Sequence, residues 1–275
     1  MQSRKSTIIL LISFFIGLSV LLYPTLSSYW NSKTQSEAII NYEEMLQNYK
    51  PEDYSALFAA ADQYNAALAA LDNSYLNPGQ IPGYWETLDI SGTGMIGYVT
   101  VSKINQELPV YHGVSDEVLA TAAGHFMGSS LPVGGDSTHS VVSAHRGLPS
   151  AVLFTHLDRM EVGDTFYFTI LDRVITYEVD QIRIVEPHDT SLIQIEDGKD
   201  YCTLLTCTPY GLNTQRLLVR GHRVDSSQVK NLYIANEAYR IDTLIVMPLV
   251  ALPFVILFLG YVMLVPVNKD TLGED

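Results

Sequence analysis

The chain has 275 residues, a formal net charge of -14 and a sequence pI near 4.8. This length accommodates one domain with a sizeable core together with additional segments. The acidic balance argues against a nucleic-acid partner, because phosphate binding depends on clustered Lys and Arg.

An apolar segment follows Arg4 and Lys5 at the start of the chain. Residues Thr7 to Leu22 carry no charge and consist mostly of Ile, Leu, Phe and Val. Their number is near the lower limit for a membrane span. A cleavable secretory signal would have a similar apolar region, but no clear small-x-small cleavage site follows. We therefore predict that residues 1–28 form an uncleaved membrane anchor.

Residues 29–90 are predicted to form a helical segment and a loop. The first helix covers about Lys33 to Tyr49. In the second, apolar residues recur at spacings of three and four from Leu57 to Leu71, and Pro51 with the acidic residues after it suits a first helical turn. We expect a helical hairpin that packs on the main domain. The stretch from Asn73 to Gly83 is then predicted to be a loop.

Strand signals dominate from Gly94 onward, and short turns separate several of the strands. Their regular spacing predicts a mainly β domain, either a sandwich or a barrel, over residues 91–240. The predicted strands are Met95 to Val101, Glu107 to His112, His139 to His145, Thr165 to Leu171, Val174 to Val185, Tyr201 to Cys207 and Gln215 to Val224.

The last two predicted strands form a hairpin that carries a candidate nucleophile. Pro209 and Gly211 mark the turn, so Cys207 at the end of one strand and Arg216 at the start of the next come together across it. A thiol with its ordinary pKa of about 8.5 is only slightly ionised at neutral pH, so a cysteine nucleophile usually has a histidine or a cation beside it. The alternative for Cys207 is a buried structural thiol.

His145 is the candidate acid and base, because it also ends a predicted strand and such residues meet in space rather than in sequence. His139 shares its strand parity, and the other histidines are expected to be structural or solvated. Cys202 would point away from Cys207 and lie roughly 16 Å from it along the strand, so the two cannot form a disulfide. No histidine has zinc-like spacing with Cys or carboxylate residues.

A second apolar segment runs from Thr243 to Val267 and is long enough to cross a bilayer of about 30 Å. Lys269 follows it, just as basic residues precede the first segment. If positive residues mark the cytoplasmic side, both termini are inside and residues of about 28 to 240 are outside. We therefore predict that residues 241–275 form a transmembrane helix and a short cytoplasmic tail.

The motif around the candidate nucleophile resembles that of the sortases, cysteine transpeptidases of Gram-positive cell surfaces. Thr203-Leu204-Leu205-Thr206-Cys207 with Arg216 downstream is similar to the Thr-Leu-x-Thr-Cys signature and arginine of that family. The similarity extends from about Gly94 to Arg223. Longer stretches resemble the class C, pilin-polymerising branch, namely Leu131 to Gly135, Ser143 to Ser150, Cys207 to Gly211 and Arg216 to Gly221.

The resemblance implies a fold and a set of catalytic roles. The expected fold is an eight-stranded sortase β-barrel, with short helices near Val118 to Gly124 and Ser150 to Leu157. Arg216 and Arg220 lie on the same face of the strand, so alternation alone does not decide which of them is the catalytic arginine. In the family, that arginine directly precedes Leu-Leu-Val-Arg-Gly, and the resemblance therefore selects Arg216. Cys207 is then the nucleophile, His145 the general acid and base, and Arg216 the group that stabilises the oxyanion or substrate. No metal or organic cofactor is implied.

Other parts of the site are also implied by the resemblance. Ser143 and Thr206 are candidates for the substrate groove, with ordinary strand packing as the alternative. Class C sortases carry a lid over the active site, typically Asp-Pro followed by an aromatic residue. Asn77 and Pro78 occupy a lid-like loop here, but Gly79 follows them, so the charged and aromatic anchors of that motif are missing.

The implied reaction cleaves a Leu-Pro-x-Thr-Gly-type sorting signal between Thr and Gly and joins the acyl group to a lysine amine of a pilin. The implied partners are pilin subunits and the lipid bilayer, and the oligomeric state is not predicted. One alternative is a sortase that uses cell-wall peptide amines or hydrolyses its substrate. Another is a non-enzymatic membrane-anchored β-domain, which should carry a sorting signal of its own before the C-terminal apolar segment; the sequence has none there.

Overall fold

The computed structural model describes residues 2–225, residues 253–255 and residue 258 of the chain. The predicted second membrane span, Thr243 to Val267, therefore lies largely outside the described residues. Of its described residues, Phe258 stacks on Phe14 of the N-terminal helix, with ring centroids 4.7 Å apart.

Within residues 2–225, eight strands form a closed barrel in the order β1-β2-β3-β4-β7-β8-β6-β5. The β2–β3 and β4–β7 pairs are parallel and the other neighbours are antiparallel. This confirms the expected barrel fold with N-terminal helices. The strands are β1 Met95–Val101, β2 Gln106–His112, β3 Ala123–His125, β4 Thr138–Ser143, β5 Thr165–Ile170, β6 Arg173–Val185, β7 Asp200–Thr208 and β8 Gln215–Val224.

Two expected short helices differ from the structure. The helix α3, Asp116–Leu119, ends earlier than expected, and the strand β3 takes up the residues that follow. This strand has three residues and no apolar alternation, so its sequence gives little strand signal. The expected helix from Ser150 to Leu157 is a series of turns that ends in the 3-10 helix Leu157–Arg159. Leu153 has a φ of 43°, which a right-handed helix does not permit.

The N-terminal helix α1, Gln2–Leu46, is one continuous helix that passes through the expected boundary at residue 28. Pro24 lies inside it, and a single proline is tolerated in an apolar helix of this kind. By length and composition, the part from Leu11 to Leu46 contains a stretch that could cross a membrane. The predicted anchor and the first predicted helix are therefore parts of a single continuous helix.

The C-terminal part of α1 packs against the barrel through Tyr42. Its hydroxyl donates to the carbonyl of Ile96 at 3.2 Å and accepts from the backbone N–H of Leu171 at 2.9 Å. Ile39 and Met95 pack in the same buried cluster. This pairing connects the apolar helix rigidly to β1 and to the turn between β5 and β6.

The helix α2, Pro51–Ala69, packs its predicted apolar stripe on the barrel. Phe58, Tyr64 and Leu68 join the main core cluster, which also contains residues from all the larger strands. The predicted amphipathic helix is thus confirmed. The ring of Tyr64 is buried, but among the described residues its hydroxyl has no hydrogen-bond partner.

Substitution of the two buried tyrosines should have opposite effects. Tyr42→Phe leaves a buried N–H and a buried carbonyl without their partner, so we expect a loss of about 1–3 kcal/mol in the free energy of unfolding. Tyr64→Phe removes an unpaired buried hydroxyl and should be neutral or stabilising. Urea unfolding of both variants in detergent measures the difference. Equal destabilisation would contradict the described packing of α1.

Two barrel histidines are held neutral by burial. His125 is enclosed between the Tyr84 hydroxyl and the carbonyl of Ser130, and burial lowers its pKa to about 3. His139 contacts the carbonyl of Gln194 at 2.9 Å and the hydroxyl of Thr203 at 2.8 Å, and burial lowers its pKa to about 4. Both imidazoles therefore stay neutral in the folded state at pH values where a histidine in the unfolded chain already carries a proton.

These depressed pKa values predict a pH-dependent stability. A histidine in the unfolded chain titrates near pH 6.5, so below that pH the unfolded state binds more protons than the folded state. Stability should therefore be full above about pH 6.5 and fall as the pH is lowered toward 4. Unfolding midpoints across this range test the prediction, and the decline should be shallower in His139→Gln. A midpoint that is constant or rises on acidification would contradict it.

Candidate active site

Strand register brings the predicted catalytic residues to one end of the barrel. Cys207 on β7 lies directly opposite Arg216 on β8 in the antiparallel pair. The parallel pairing of β4 with β7 matches Ser143 with Leu205, and the N–H of Ala144 continues it by donating to the Leu205 carbonyl at 3.2 Å. His145 therefore follows β4 at the level of Cys207, the residue before the last one of β7.

The three residues line one pocket of about 230 Å³. Ser143 lines it too, as the sequence predicted for one of the two groove candidates. The structure brings the predicted Cys207, His145 and Arg216 to a shared cavity, which combines a thiol, an imidazole and a guanidinium.

The two cysteines have different surroundings, because strand alternation separates them. Cys202 points into the barrel core and is fully buried, and burial raises the pKa of its thiol well above the ordinary value. Cys207 is half-buried and borders the pocket. A thiolate is the reactive form of cysteine, so Cys202 is inert while Cys207 is accessible to a substrate.

Thr206 lies on the inner side of β7 and does not border the pocket. Its hydroxyl donates to the carbonyl of Ala144 at 2.8 Å, and the residue is buried. The physical reason is the two-residue period of a strand, which turns Thr206 inward when Cys207 faces the pocket. The residue therefore ties the end of β7 to the backbone immediately before His145.

Arg216 keeps its positive charge available within the pocket. Its guanidinium donates to the carbonyls of Asn213 at 3.3 Å and Gln215 at 3.1 Å. Among the residues that the structure describes, no carboxylate forms an ion pair with it. In contrast, Arg220 on the same strand is engaged by Asp180, with two contacts of 3.0 Å. The charge of Arg216 is thus positioned by neutral carbonyls rather than neutralised.

The remaining walls of the pocket are mostly apolar. The segment that connects β6 to β7 supplies one side, and Phe126, Leu205 and Leu218 supply others. Asp189 is the acidic residue on the lining, and hydrogen bonds from Ser191 lower the pKa of its carboxyl group. The pocket therefore combines apolar surface for a peptide side chain with polar groups at the strand ends.

Arg146 connects the segment after His145 with the residue after Cys207. Its Nη1 donates to Thr208 Oγ1 at 3.2 Å, and its Nη2 donates to Asp158 Oδ2 at 2.7 Å. The side chain is only 9% exposed. Neither contact was foreseen, since nothing in the sequence predicts which loops the guanidinium reaches.

The lid-like loop contacts the pocket walls through a residue that was not predicted. Tyr75 donates its hydroxyl to the carbonyl of Ile193 at 2.9 Å, and its ring lies 5.8 Å from that of Phe126. Both partners line the pocket. Asn77 and Pro78 lie elsewhere, beside an open depression on the surface. The missed signal is the single aromatic residue within the predicted loop from Asn73 to Gly83.

Among the described residues, no group of three or more His, Cys, Asp and Glu side chains could hold a metal ion. His139, which shares the parity of His145, is buried against Thr203 and is not part of the pocket lining. The pocket lining at this end of the barrel includes a thiol and an imidazole, the two groups that cysteine acyl transfer uses.

Comparison with known proteins agrees with this class of site. A model of the sortase domain matches residues 99–224. The solved structure of sortase C1 from Streptococcus agalactiae is 48% identical in sequence to this chain, with a TM-score of 0.64. The aligned region covers 69% of this chain and 98% of the sortase C1 chain. Sortase C from Streptococcus pneumoniae is 44% identical, with coverages of 69% and 97% and a TM-score of 0.63.

The chain belongs to the sortase family, and the solved structures that it resembles are class C sortases. Sortase D of Bacillus subtilis is 30% identical over 131 residues, which are 46% of this chain and 63% of that protein. The chain thus spans less than two thirds of the length of this curated relative.

The substitution Arg146→Ala should lower kcat while it leaves KM nearly unchanged. Without its contact to Thr208, His145 and Cys207 lose a connection between their loops, and we expect kcat to fall on the order of tenfold with KM nearly unchanged. Arg146→Lys should recover part of the loss. Steady-state kinetics on a sorting peptide measure both constants. A variant that loses thermal stability while kcat is unchanged would contradict the positioning role.

Proposed function

We propose that this protein is a cysteine transpeptidase that cleaves a Leu-Pro-x-Thr-Gly-type sorting signal between Thr and Gly and transfers the acyl group to a lysine amine of a pilin. The observation that carries the proposal is the shared pocket of Cys207, His145 and Arg216. Membership of the sortase family supports the reaction type.

In the first half-reaction, the thiolate of Cys207 attacks the threonine carbonyl carbon and forms a tetrahedral intermediate with a negative oxygen. Arg216 donates hydrogen bonds to this oxygen or to the neighbouring substrate backbone. The carbon–nitrogen bond then breaks, and His145 as imidazolium gives its proton to the leaving glycine amine. The products are a thioester on Cys207 and the released C-terminal fragment.

In the second half-reaction, a lysine amine attacks the thioester. His145, now neutral, takes a proton from the attacking nitrogen, the carbon–sulfur bond breaks, and Cys207 is regenerated. An isopeptide bond joins the two subunits. Arg146 donates to both Thr208 and Asp158, and we expect these contacts to hold the loop of His145 beside the end of β7 in both half-reactions.

The proposed acceptor follows from the class C neighbours. The study of the Streptococcus pneumoniae enzyme concerns its pilin substrate specificity. The apolar helix α1 supports a membrane anchor, and we propose that the catalytic domain lies on the outer side with a second span after residue 240. Pilin subunits and the lipid bilayer are then the partners.

Variants of the pocket residues test the reaction. Cys207→Ala should abolish turnover with the fold retained. Arg216→Ala should lower kcat on the order of a hundredfold or more, as expected for loss of an oxyanion donor. Arg220→Ala is the matched control, since this arginine shares the strand face but is occupied by Asp180, and it should keep most of the activity. Unchanged transpeptidation in Cys207→Ala would contradict the proposal.

The choice of acceptor is tested separately. The full chain is incubated with a sorting peptide and with either a lysine-bearing pilin domain or an oligoglycine amine. Faster isopeptide formation with the pilin lysine is expected. Preference for the oligoglycine amine would assign the protein to cell-wall attachment instead.

A further inference from the structure

Aromatic residues mark where α1 leaves its apolar segment. Leu26, Tyr29 and Trp30 are 56%, 45% and 69% exposed, respectively. Trp and Tyr are enriched at the boundary between membrane and water, where their rings sit at the level of the lipid headgroups. Residues 29 and 30 therefore indicate the height of the membrane surface along the helix.

The barrel is attached to α1 at this same height. Asn31, the residue after Trp30, donates its Nδ2 to the carbonyl of Ser150 at 2.7 Å. One turn further along, Gln35 donates to the carbonyl of Thr121 at 2.6 Å. Since α1 is continuous through these contacts, the loop that contains Ser150 is held next to the aromatic pair Tyr29 and Trp30 along the helix.

This loop belongs to the catalytic end of the barrel. Ser150 is five residues after His145 in the sequence. Arg146 ties the start of the loop to Thr208, next to Cys207. The pocket and the membrane-level contact of α1 are therefore connected by a few residues of chain.

Two loops at this end carry no charge and expose apolar side chains. Residues 147–152 and 209–214, here named the rim loops, contain no charged residue, although the chain has a net charge of -14. They carry exposed apolar side chains, with Val152 37%, Tyr210 62% and Leu212 73% exposed. The two loops are adjacent, because a Cβ on Gly147 would lie 3.1 Å from the ring of Tyr210.

We propose that the rim loops rest on the outer leaflet of the lipid bilayer, so that the catalytic pocket opens beside the membrane surface. The occupant of this surface is lipid because the loops continue the membrane-level face of α1. Burial of exposed apolar side chains in the headgroup region is favourable, and the absence of carboxylates avoids their desolvation and their repulsion from anionic lipids.

The consequence for function rests on the proposed transpeptidase activity. A pocket at this height favours sorting signals that are held close to the same bilayer over peptides free in solution. The rim loops would thus select substrates by location, in addition to the sequence recognised by the pocket.

Depth-dependent quenching tests the lipid contact directly. The full chain is reconstituted in nanodiscs after Trp30→Phe and Trp85→Phe, which remove both tryptophans. Val152→Trp is compared with the control Val174→Trp, which is also an exposed valine, at 42%. The control lies close in sequence to Leu171, whose N–H donates to Tyr42 of α1. Tyr42 is eleven residues, or about 16 Å, beyond Asn31 along the helix. The control is therefore expected to lie well above the membrane surface.

Brominated lipid should reduce the tryptophan fluorescence of Val152→Trp by about half and leave that of Val174→Trp unchanged, because the quencher acts only on rings at the depth of the bilayer. If the fluorescence of Val152→Trp is the same in brominated and unbrominated lipid, the proposal is overturned. This readout does not require catalysis, so it decides the lipid contact even if the proposed reaction is wrong.

A kinetic comparison tests the consequence. Val152→Asp should slow turnover of a sorting peptide tethered to the same bilayer about tenfold, because a carboxylate resists entry into the headgroup region. Turnover of the same peptide in solution should not change, and Val174→Asp should affect neither substrate. If Val152→Asp slows both substrates equally, the loop acts in peptide binding and the membrane proposal fails. If the unmodified protein turns over neither peptide, the proposed function itself fails.

Discussion

The parallel pairing of β4 with β7 is the constraint on which the site depends. Parallel strands end on the same side of a sheet, so the residues that follow them share one end of the barrel. The register of Ser143 with Leu205 sets His145 and Cys207 at the same level, and the antiparallel partner β8 adds Arg216 opposite the cysteine. A shift of one residue in β7 would turn Cys207 into the core and bring Thr206 to the pocket.

Several contacts besides the backbone pairing of the strands hold the pocket residues in this register. Thr206 fixes β7 to the carbonyl of Ala144, and Arg146 joins the two loops that leave β4 and β7. The helix α1 adds a third support, since Asn31 holds the loop that contains Ser150. The pocket residues, the contacts that position them and the apolar helix α1 therefore form one continuous structure, through which the proposed contact with lipid would be coupled to the proposed chemistry.

Much of this arrangement was predictable from sequence, for identifiable reasons. Long apolar or β-branched strands such as Met95–Val101 and Gln215–Val224 have strong local signals, and the hairpin turn between β7 and β8 fixed the approach of Cys207 to Arg216. The strand Ala123–His125 was missed, because it is short and is defined by its partners rather than by its own residues. The inward orientation of Thr206, the contact of Arg146 with Thr208 and the position of Tyr75 depend on tertiary packing, which no local pattern encodes.

The central claim is that strand register makes Cys207 the acyl carrier. The most direct measurement is the mass of the full chain after acid quenching of a reaction with a Leu-Pro-x-Thr-Gly peptide and no amine acceptor. Tandem fragmentation distinguishes the two cysteines of β7. We predict an added mass equal to that of the peptide through its threonine minus one water, located on Cys207 and lost in His145→Ala. An adduct on Cys202, or none on either cysteine in the unmodified protein, would contradict the account.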